Sequence, residues 1–391
     1  EIIVRERLSE REGKTASGAS LRARRNSETG EWLPAAGNLV VRCDSSTVLN
    51  PGDRAVVRGK IYPFTARHGG YGRLMTRRGY VGTLYLNRSS LLLRDTLHRE
   101  LSPKHLSLFL HERAVARLDR LALAPDEQAL CNAMTAGDRR SLSPALRAAY
   151  SRSGTSHLLA VSGLHVGIVF LLANLLLWWL PLFRHGHILR NIAVILLIWL
   201  YAATTGFPPS VVRAALMFSV LQFALASSSE YVGMNTLAGV AFVMLLFHPD
   251  YLFDISFQLS FIAVAGIIAW GLPLCRLLRT RRKSIDMLTA TLAIGFSASA
   301  ATAPLISHTF GQISVVGLAL NPVVILLSYV VVGSCTLWLV IPGTALAPLF
   351  SVVAGFAARA QNELIRAAAA LPAAALDIRL TTTQCWSGYG L

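Results

Sequence analysis

Seven long apolar stretches fill most of the second part of this chain, near residues 157–183, 188–205, 209–227, 232–248, 252–273, 285–306 and 314–341. Each approaches the roughly 20 residues that a helix needs to cross hydrocarbon. In that solvent backbone N–H and C=O groups must be satisfied inside the segment, which leaves helices as the form such runs take. The chain therefore reads as a polytopic α-helical membrane protein. Its composition agrees: 53% of the 391 residues are apolar and 15% charged, with a mean hydropathy of +0.49, which excludes an ordinary soluble globular class. Residues 344–371 are rich in Ala but carry Arg359, Gln361, Glu363 and Arg366, so they fit either a tilted span or an interfacial helix.

Charge is distributed unevenly. Residues 1–150 hold 25 Lys/Arg against 15 Asp/Glu, whereas 151–391 hold 12 against 6. A basic, soluble-looking region is thus followed by an apolar one. Basic short loops orient the spans: Arg184 and Arg190 follow the first, and Arg276, Arg279, Arg281, Arg282 and Lys283 follow the fifth. By the positive-inside rule both loops are cytoplasmic, which puts residues 206–210, 248–250 and 1–150 outside; long domains translocate largely regardless of charge.

Within the basic region, residues 2–8, 20–24, 38–43, 54–62 and 79–86 are rich in Val, Ile, Leu and Tyr and are separated by Gly/Asn/Asp/Ser turns, the pattern of short strands. Five strands suit an OB-like β-barrel, giving an N-terminal extracytoplasmic OB-like domain over 1–95. Residues 96–150 show helical spacing at Leu106, Leu110, Val115 and Leu118. They read as amphipathic helices, either at the membrane surface or packed on the barrel. The multi-span domain occupies 151–391. Residues 386–391 look like the opening of another apolar segment, so the domain is expected to continue past its C-terminal end. Five cysteines without CxxC or Cys/His spacing imply no metal site, and Cys43 and Cys131 are candidates for a disulfide if their regions lie outside the cytoplasm.

The most informative stretch, residues 156–167, places His157, Ser162 and His165 within apolar sequence. Polar groups are costly there unless they face a cavity or a partner. Ser162 and His165, three apart, would share a helix face, and Gly163 with Gly167 forms a small-xxx-small pair that admits another helix closely.

Residues 157–165 read His-Leu-Leu-Ala-Val-Ser-Gly-Leu-His, and in this the chain resembles the ComEC family of competence proteins. Thr205-Gly-Phe-Pro-Pro-Ser-Val-Val-Arg-Ala-Ala-Leu-Met217, Phe253-Asp-Ile-Ser-Phe-Gln-Leu-Ser-Phe261 and the Asn321–Pro322 pair follow in the family's order. The resemblance runs from about residue 2 to 372. It implies a bacterial inner-membrane channel that passes single-stranded DNA into the cytoplasm during natural transformation, with an OB-like domain outside. It also implies a DNA-delivery protein outside and a motor or strand-binding protein in the cytoplasm. Many relatives carry a metallo-β-lactamase-like domain as well; this chain has no His-x-His-x-Asp-His segment, so nuclease activity is not expected of it. No cofactor is implied, and no GxxxxGK[ST] phosphate loop is present.

Read from the residues, the channel rests on the polar groups kept in the apolar part. Arg213 and Asp254 sit near the outer ends of their spans and could pair with each other; Arg213 could instead meet phosphate, whose geometry a guanidinium matches. Gln258 shares a face with Asp254, while Ser256 and Ser260 fit interhelical hydrogen bonds. Pro322, next to Asn321, should kink or break its helix. In the outer domain Arg42, Arg58, Lys60, Arg77 and Arg78 interleave with Trp32, Tyr62 and Tyr80. Cations that track a backbone and aromatics that stack on bases are what binding of single strands requires, although a solvated basic face over an aromatic core explains the same residues. Two further functions stay open: an intramembrane hydrolase using Ser162 and His165, and a small-solute permease, which leaves the barrel unexplained.

Overall fold

The computed structural model describes residues 1–11, 14–26, 29–44, 47, 49, 52–64, 72, 75–76, 79–95, 103–227, 233–314, 316–341, 345–371 and 375–389. They fall into two compact units, Glu1–Leu110 and His111–Leu391.

The first unit is a β domain. Seven strands, β1 (Ile2–Arg11), β2 (Lys14–Arg25), β3 (Trp32–Cys43), β4 (Arg54–Val57), β5 (Ile61–Pro63), β6 (Tyr80–Leu86) and β7 (Leu91–Asp95), form one sheet in the order β5-β6-β3-β2-β1-β4-β7. All pairings are antiparallel except β3 with β6. The sheet is an open ribbon among the described residues, with β5 and β7 as its edges, consistent with the partly open OB architecture. Two more strands appear than the sequence suggests, because the expected strand 54–62 is interrupted at 58–60 and residues 91–95 add β7 on the edge beside β4. Ile2, Val4, Leu39, Val41, Leu49, Ala55, Leu84 and Leu86 make the core. In β6 the alternation puts Tyr80 and Leu84 inside and Val81 and Tyr85 outside. At Gly82 a Cβ would lie 2.5 Å from the Tyr62 carbonyl, so only glycine lets β5 approach. Asp53, fully buried, accepts from Arg94 at 2.7 Å and ties the turn before β4 to β7.

The second unit is helical. Helix α1 (Pro103–Leu118), which begins in the first unit and ends in the second, α2 (Pro125–Thr135) and α3 (Pro144–Arg152) precede the apolar series α4 (Gly163–Leu176), α5 (Gly186–Thr204), α6 (Pro209–Ser227), α7 (Gly233–Phe247) and α8 (Ile255–Gly266). A π turn at Ile267–Gly271 carries α8 into α9 (Leu272–Leu277); Pro273, without an N–H, sits just past it. Then come α10 (Lys283–Phe310), β8 (Gln312–Ser314), α11 (Val316–Val340), α12 (Ala347–Ala369), β9 (Ala375–Asp377), which pairs with β8, and α13 (Thr382–Gly388).

Five segments are long and apolar enough to span a bilayer: Gly163–Leu182, Gly186–Thr204, Ile255–Leu277, Ile285–Phe310 and Leu320–Val340. Two shorter apolar helices, Pro209–Ala224 and Gly233–Phe247, fall on the other two expected spans. Leu175, Leu196, Phe223, Phe242, Phe247 and Leu326 stand exposed on these helices, as hydrocarbon-facing side chains should. The protein is thus a multi-pass helical membrane protein with an N-terminal β domain. Of the expected kink or break at Pro322, the break does not occur: α11 runs across it with the proline inside the helix, where it removes one backbone donor without ending the segment.

Residues 111–152 are built into the helical core. Leu118, Leu130, Met134, Leu146 and Tyr150 are fully buried with Trp338, Ala354, Ala358 and Ile365 of α11 and α12. Arg117 donates to the Trp338 carbonyl (3.0 Å) and lies over its indole, whose Nε1 donates back to the Arg117 carbonyl (2.9 Å). Tyr150 donates to Asn362 Oδ1 (3.1 Å) and accepts from Gln361 (3.3 Å); burial pushes its phenol well above the usual range, so it stays a neutral donor. Tyr150→Phe strands the Asn362 acceptor in a dry core and should cost about 1–3 kcal/mol, read as a lower unfolding temperature of the full chain in detergent with its helical content unchanged at 20 °C.

Candidate functional site

The motif at 157–165 does not form one helix, contrary to the continuous span expected over 157–183. Ser156–Leu159 make a 3-10 turn, the chain is extended through Ser162 (φ −122°, ψ 175°), and α4 begins at Gly163. Ser162 is therefore the N-cap rather than a residue on the helix face. Its main-chain N–H donates to His165 Nδ1 at 2.9 Å, and its Oγ lies 3.2 Å from the same nitrogen. His165 thus does what a Glu or Gln does in a capping box, reaching back to satisfy the N-cap amide. With Nδ1 committed as acceptor, the neutral ring carries its proton on Nε2. That nitrogen is buried and has no partner among the described residues. His157 stands exposed in the turn, hydrogen-bonded to the Gly154 backbone.

Arg213, on α6, is only 4% exposed. Its Nη2 lies 3.7 Å from where a Cβ on Gly163 would sit, and its Cζ is 5.5 Å from the ring centre of Phe261 on α8. Nη1 is buried without a hydrogen-bond partner among the described residues. The alternative partner Asp254 is occupied elsewhere: as N-cap of α8 it accepts from the Ser256 N–H at 2.7 Å. Gln258 turns back to donate to the Leu252 carbonyl at 2.8 Å. Both thus hold the start of α8, and the Arg213–Asp254 ion pair weighed from sequence is not formed. A buried cation without a counter-charge is among the costliest arrangements a membrane protein can hold.

Gly163 lets that guanidinium in, and Gly167 lets α6 close, since a Cβ there would lie 3.3 Å from Phe218. Below it Phe170 stacks on Phe218 at 4.8 Å. Ser210 Oγ donates to the Val161 carbonyl at 2.8 Å, tying the first turn of α6 to the extended segment before α4. At 100° per residue Gly163 and His165 fall on opposite sides of α4. The structure therefore joins Ser162 with His165 and Gly163 with Arg213, and separates the two pairs. Asn321, on α11, is a further isolated polar group, its Oδ1 buried without a partner among the described residues. Sequence reasoning missed a second polar level: Arg190 donates to Asn174 Oδ1 (2.9 Å) and Gln222 to Asn191 Oδ1 (2.6 Å). The signal was available, for Asn174 and Gln222 each lie nine residues past His165 and Arg213.

On the β domain, Arg42 and Tyr85 are register partners on β3 and β6, with Cζ 5.8 Å from the ring centre. Tyr62 meets Tyr85 edge-on at 5.8 Å, and Lys60 Nζ is 5.9 Å from the Tyr62 ring. Tyr62 and Tyr85 are 48% and 56% exposed, an unusual state for tyrosines of a packed sheet. Trp32 and Arg58 are also exposed, whereas Tyr80 is buried against Val40 and Met75, so it belongs to the core and cannot stack on a base. Arg77 and Arg78 lie outside the described residues. Tyr85 escaped the sequence reading although the strand alternation, odd against Tyr80, would have found it.

Residues 134–390 match a family model described as Competence protein. The chain belongs to that family. Among curated proteins, it is 33% identical over 204 residues to ComE operon protein 3 of Bacillus subtilis (strain 168), covering 51% of this chain and 24% of that protein. It is also 29% identical over 201 residues to an uncharacterized protein of Aquifex aeolicus (strain VF5), covering 51% and 45%. The chain thus spans less than half the length of each of these relatives. No solved structure matches it.

The Arg213 niche makes a graded prediction. Gly163→Ala adds a Cβ at ordinary contact distance from Ala214 and Arg213 and should leave stability near wild type. Gly163→Leu must displace the guanidinium and should cost about 1–3 kcal/mol, as overpacking does, read as a lower unfolding temperature of the full chain in detergent.

Proposed function

We propose that this chain is the membrane portion of a DNA-uptake conduit that carries single-stranded DNA into the cytoplasm during natural transformation, acting as a transport channel rather than an enzyme. The observation that carries the reading is Arg213, a buried guanidinium with an unused donor and no counter-charge among the described residues. The ligand that completes it is an anion with several acceptor oxygens, and a passing phosphodiester supplies that transiently, strand position after strand position. A permanent carboxylate partner would remove the site's affinity for phosphate. On this reading the protein lies in the bacterial inner membrane with residues 1–150 outside. There Tyr62, Tyr85, Arg42 and Lys60 offer stacking and charge to a strand handed over by a delivery protein, and a cytoplasmic motor or strand-binding protein draws it inward.

The hydrolase reading has one observation in its favour, the 3.2 Å approach of Ser162 Oγ to His165 Nδ1. Against it, Nδ1 is already engaged by the Ser162 amide, and no carboxylate among the described residues orients the ring through Nε2.

The test uses the full chain in liposomes and labelled single-stranded DNA. Arg213→Ala should reduce passage by roughly 10- to 100-fold, the loss of one charge-assisted hydrogen bond to phosphate. Arg213→Lys should retain part of it, since an ammonium keeps the charge but not the fork. Asp254→Asn, which keeps a helix cap, should pass DNA as the wild type does. Unchanged passage by Arg213→Ala at normal protein level removes the assignment.

A separate measurement addresses the strand-binding face. In the full chain, Tyr62→Ala with Tyr85→Ala should weaken oligonucleotide binding by at least fivefold, taking about 1 kcal/mol as the lower bound for one stacked base, with the salt slope preserved. Arg42→Gln should instead lower that slope by about one. If the tyrosines leave affinity unaltered, the exposed pair is not a stacking platform.

A further inference from the structure

The hairpin between α4 and α5 carries a feature that the conduit does not use. A groove of about 680 Å³ opens there, walled by Phe183, Ile188, Leu189 and Ile192 and rimmed by Arg184 and His185. We propose that this groove is a binding site for one anionic phospholipid, its phosphate held by Arg184 and His185 and an acyl chain laid along Ile188 and Ile192.

Three independent observations place a lipid there. First, depth: Trp178, Trp179, Leu182 and Phe183 are all exposed beside the groove. Trp179 donates to the Leu176 carbonyl and meets Phe183 edge-on at 6.0 Å. Exposed tryptophans at the end of an apolar span mark the headgroup level of a bilayer. Second, charge: the side chains of Arg184, His185 and His187 are exposed and make no ion pair or hydrogen bond among the described residues, so their donors are available to an anion. Arg190, one turn on, is already engaged by Asn174 and is not part of the site. Third, shape: the walls are fixed before any lipid arrives. A Cβ on Gly186 would fall 1.7 Å from the Leu180 carbonyl, so the Leu180–Leu182 turn closes directly onto the first residue of α5. Ile188 and Ile192, one helical turn apart, then form a continuous apolar wall.

Charge complementarity with an apolar floor selects the occupant. A soluble phosphate would leave 61% exposed Ile188 and 58% exposed Leu189 uncovered, and a zwitterionic lipid would bring its own cation against Arg184. An anionic phospholipid satisfies both. The proposal rests on the membrane fold and not on DNA passage.

Native mass spectrometry of the detergent-solubilised full chain, titrated with phosphatidylglycerol or phosphatidylcholine of equal chain length, tests it. One phosphatidylglycerol should be retained in clear preference to phosphatidylcholine. Arg184→Gln should weaken that retention roughly fivefold, the usual worth of one basic residue at an anionic surface, and Arg184→Gln with His185→Gln should weaken it further. Ile188→Ser with Ile192→Ser should reduce retention of both lipids. Arg281→Gln with Arg282→Gln, at another basic loop, should have no effect, and excess glycerol 1-phosphate should not compete. Equal retention of the two lipids by the wild type, an effect of the Arg281/Arg282 variant equal to that of Arg184→Gln, or displacement by glycerol 1-phosphate would each overturn the site.

Discussion

A positive charge withdrawn from water, with no counter-charge among the described residues, is the constraint around which the membrane unit is organised. Arg213 cannot shed its proton at any pH a cell meets, so its burial has to be tolerated by geometry. Two devices supply the tolerance. Gly163 removes a side chain where the guanidinium lies, and Phe261 presents a ring face to it. The N-terminal end of α4, which opens beside it, works in the opposite sense, because a helix N-terminus carries a positive partial charge. A cation and a positive helix end brought together repel each other and share an appetite for anions. Such a niche is poor as a structural joint, and on the proposed reading it serves as a transient phosphate contact, which is why the lack of a counter-charge among the described residues carries that proposal.

Holding that niche open requires a rigid frame, and the frame is the large cluster on the other side of α4. Ile168 of α4 packs there with Leu158, Leu320 and Val324, continuous with the α2–α3–α11–α12 core. Meanwhile Val166, Val169 and Ala173 of the same helix pack on α5 and α6. Helix α4 is thus the shared wall of two cores, and its third face, Gly163, Gly167 and Phe170, meets α6. The Arg117–Trp338 and Tyr150–Asn362 contacts join segments more than 200 residues apart, so the residues before the first span stabilise the last helices.

How much of this the sequence disclosed depended on whether a single local pattern or a long-range pairing decided the outcome. The seven apolar helices were legible because hydrocarbon imposes length and composition on each segment separately. The β domain was legible as short strands, but its register was not: β1 and β2 reach 10 and 12 residues through Ser, Gly and charged residues that break alternation, and β3 pairs in parallel with a strand 37 or more residues away. In the site, Gly167 behaved as a close-approach residue should, since a Cβ there would lie 3.3 Å from Phe218, whereas Gly163 has room for one. The fate of Asp254 turned on a competition the sequence leaves open, since a carboxylate just before a helix can cap it or reach a neighbouring helix, and here the nearer donors won. Within β6 strand parity separates the buried Tyr80 from the exposed Tyr85, whereas Tyr62 is exposed because β5 is an edge strand with no buried position.

The nine-residue motif is best understood as a helix-starting device. A span that began at residue 157 would carry Ser162 and His165 as two polar groups inside hydrocarbon, each needing a partner. Starting at Gly163 converts them into each other's partners, because the N-cap amide requires an acceptor and His165 Nδ1, one turn ahead, supplies it. The extended residues before the cap leave main-chain groups that no helix satisfies, so they need partners elsewhere. Ser210 takes the Val161 carbonyl and thereby sets the height of α6 against α4. Three residues further along α6 that height delivers Arg213 to Gly163. The apparent nucleophile and base are thus explained by backbone satisfaction, and what they position, through α6, is Arg213, a cation with no counter-charge among the described residues.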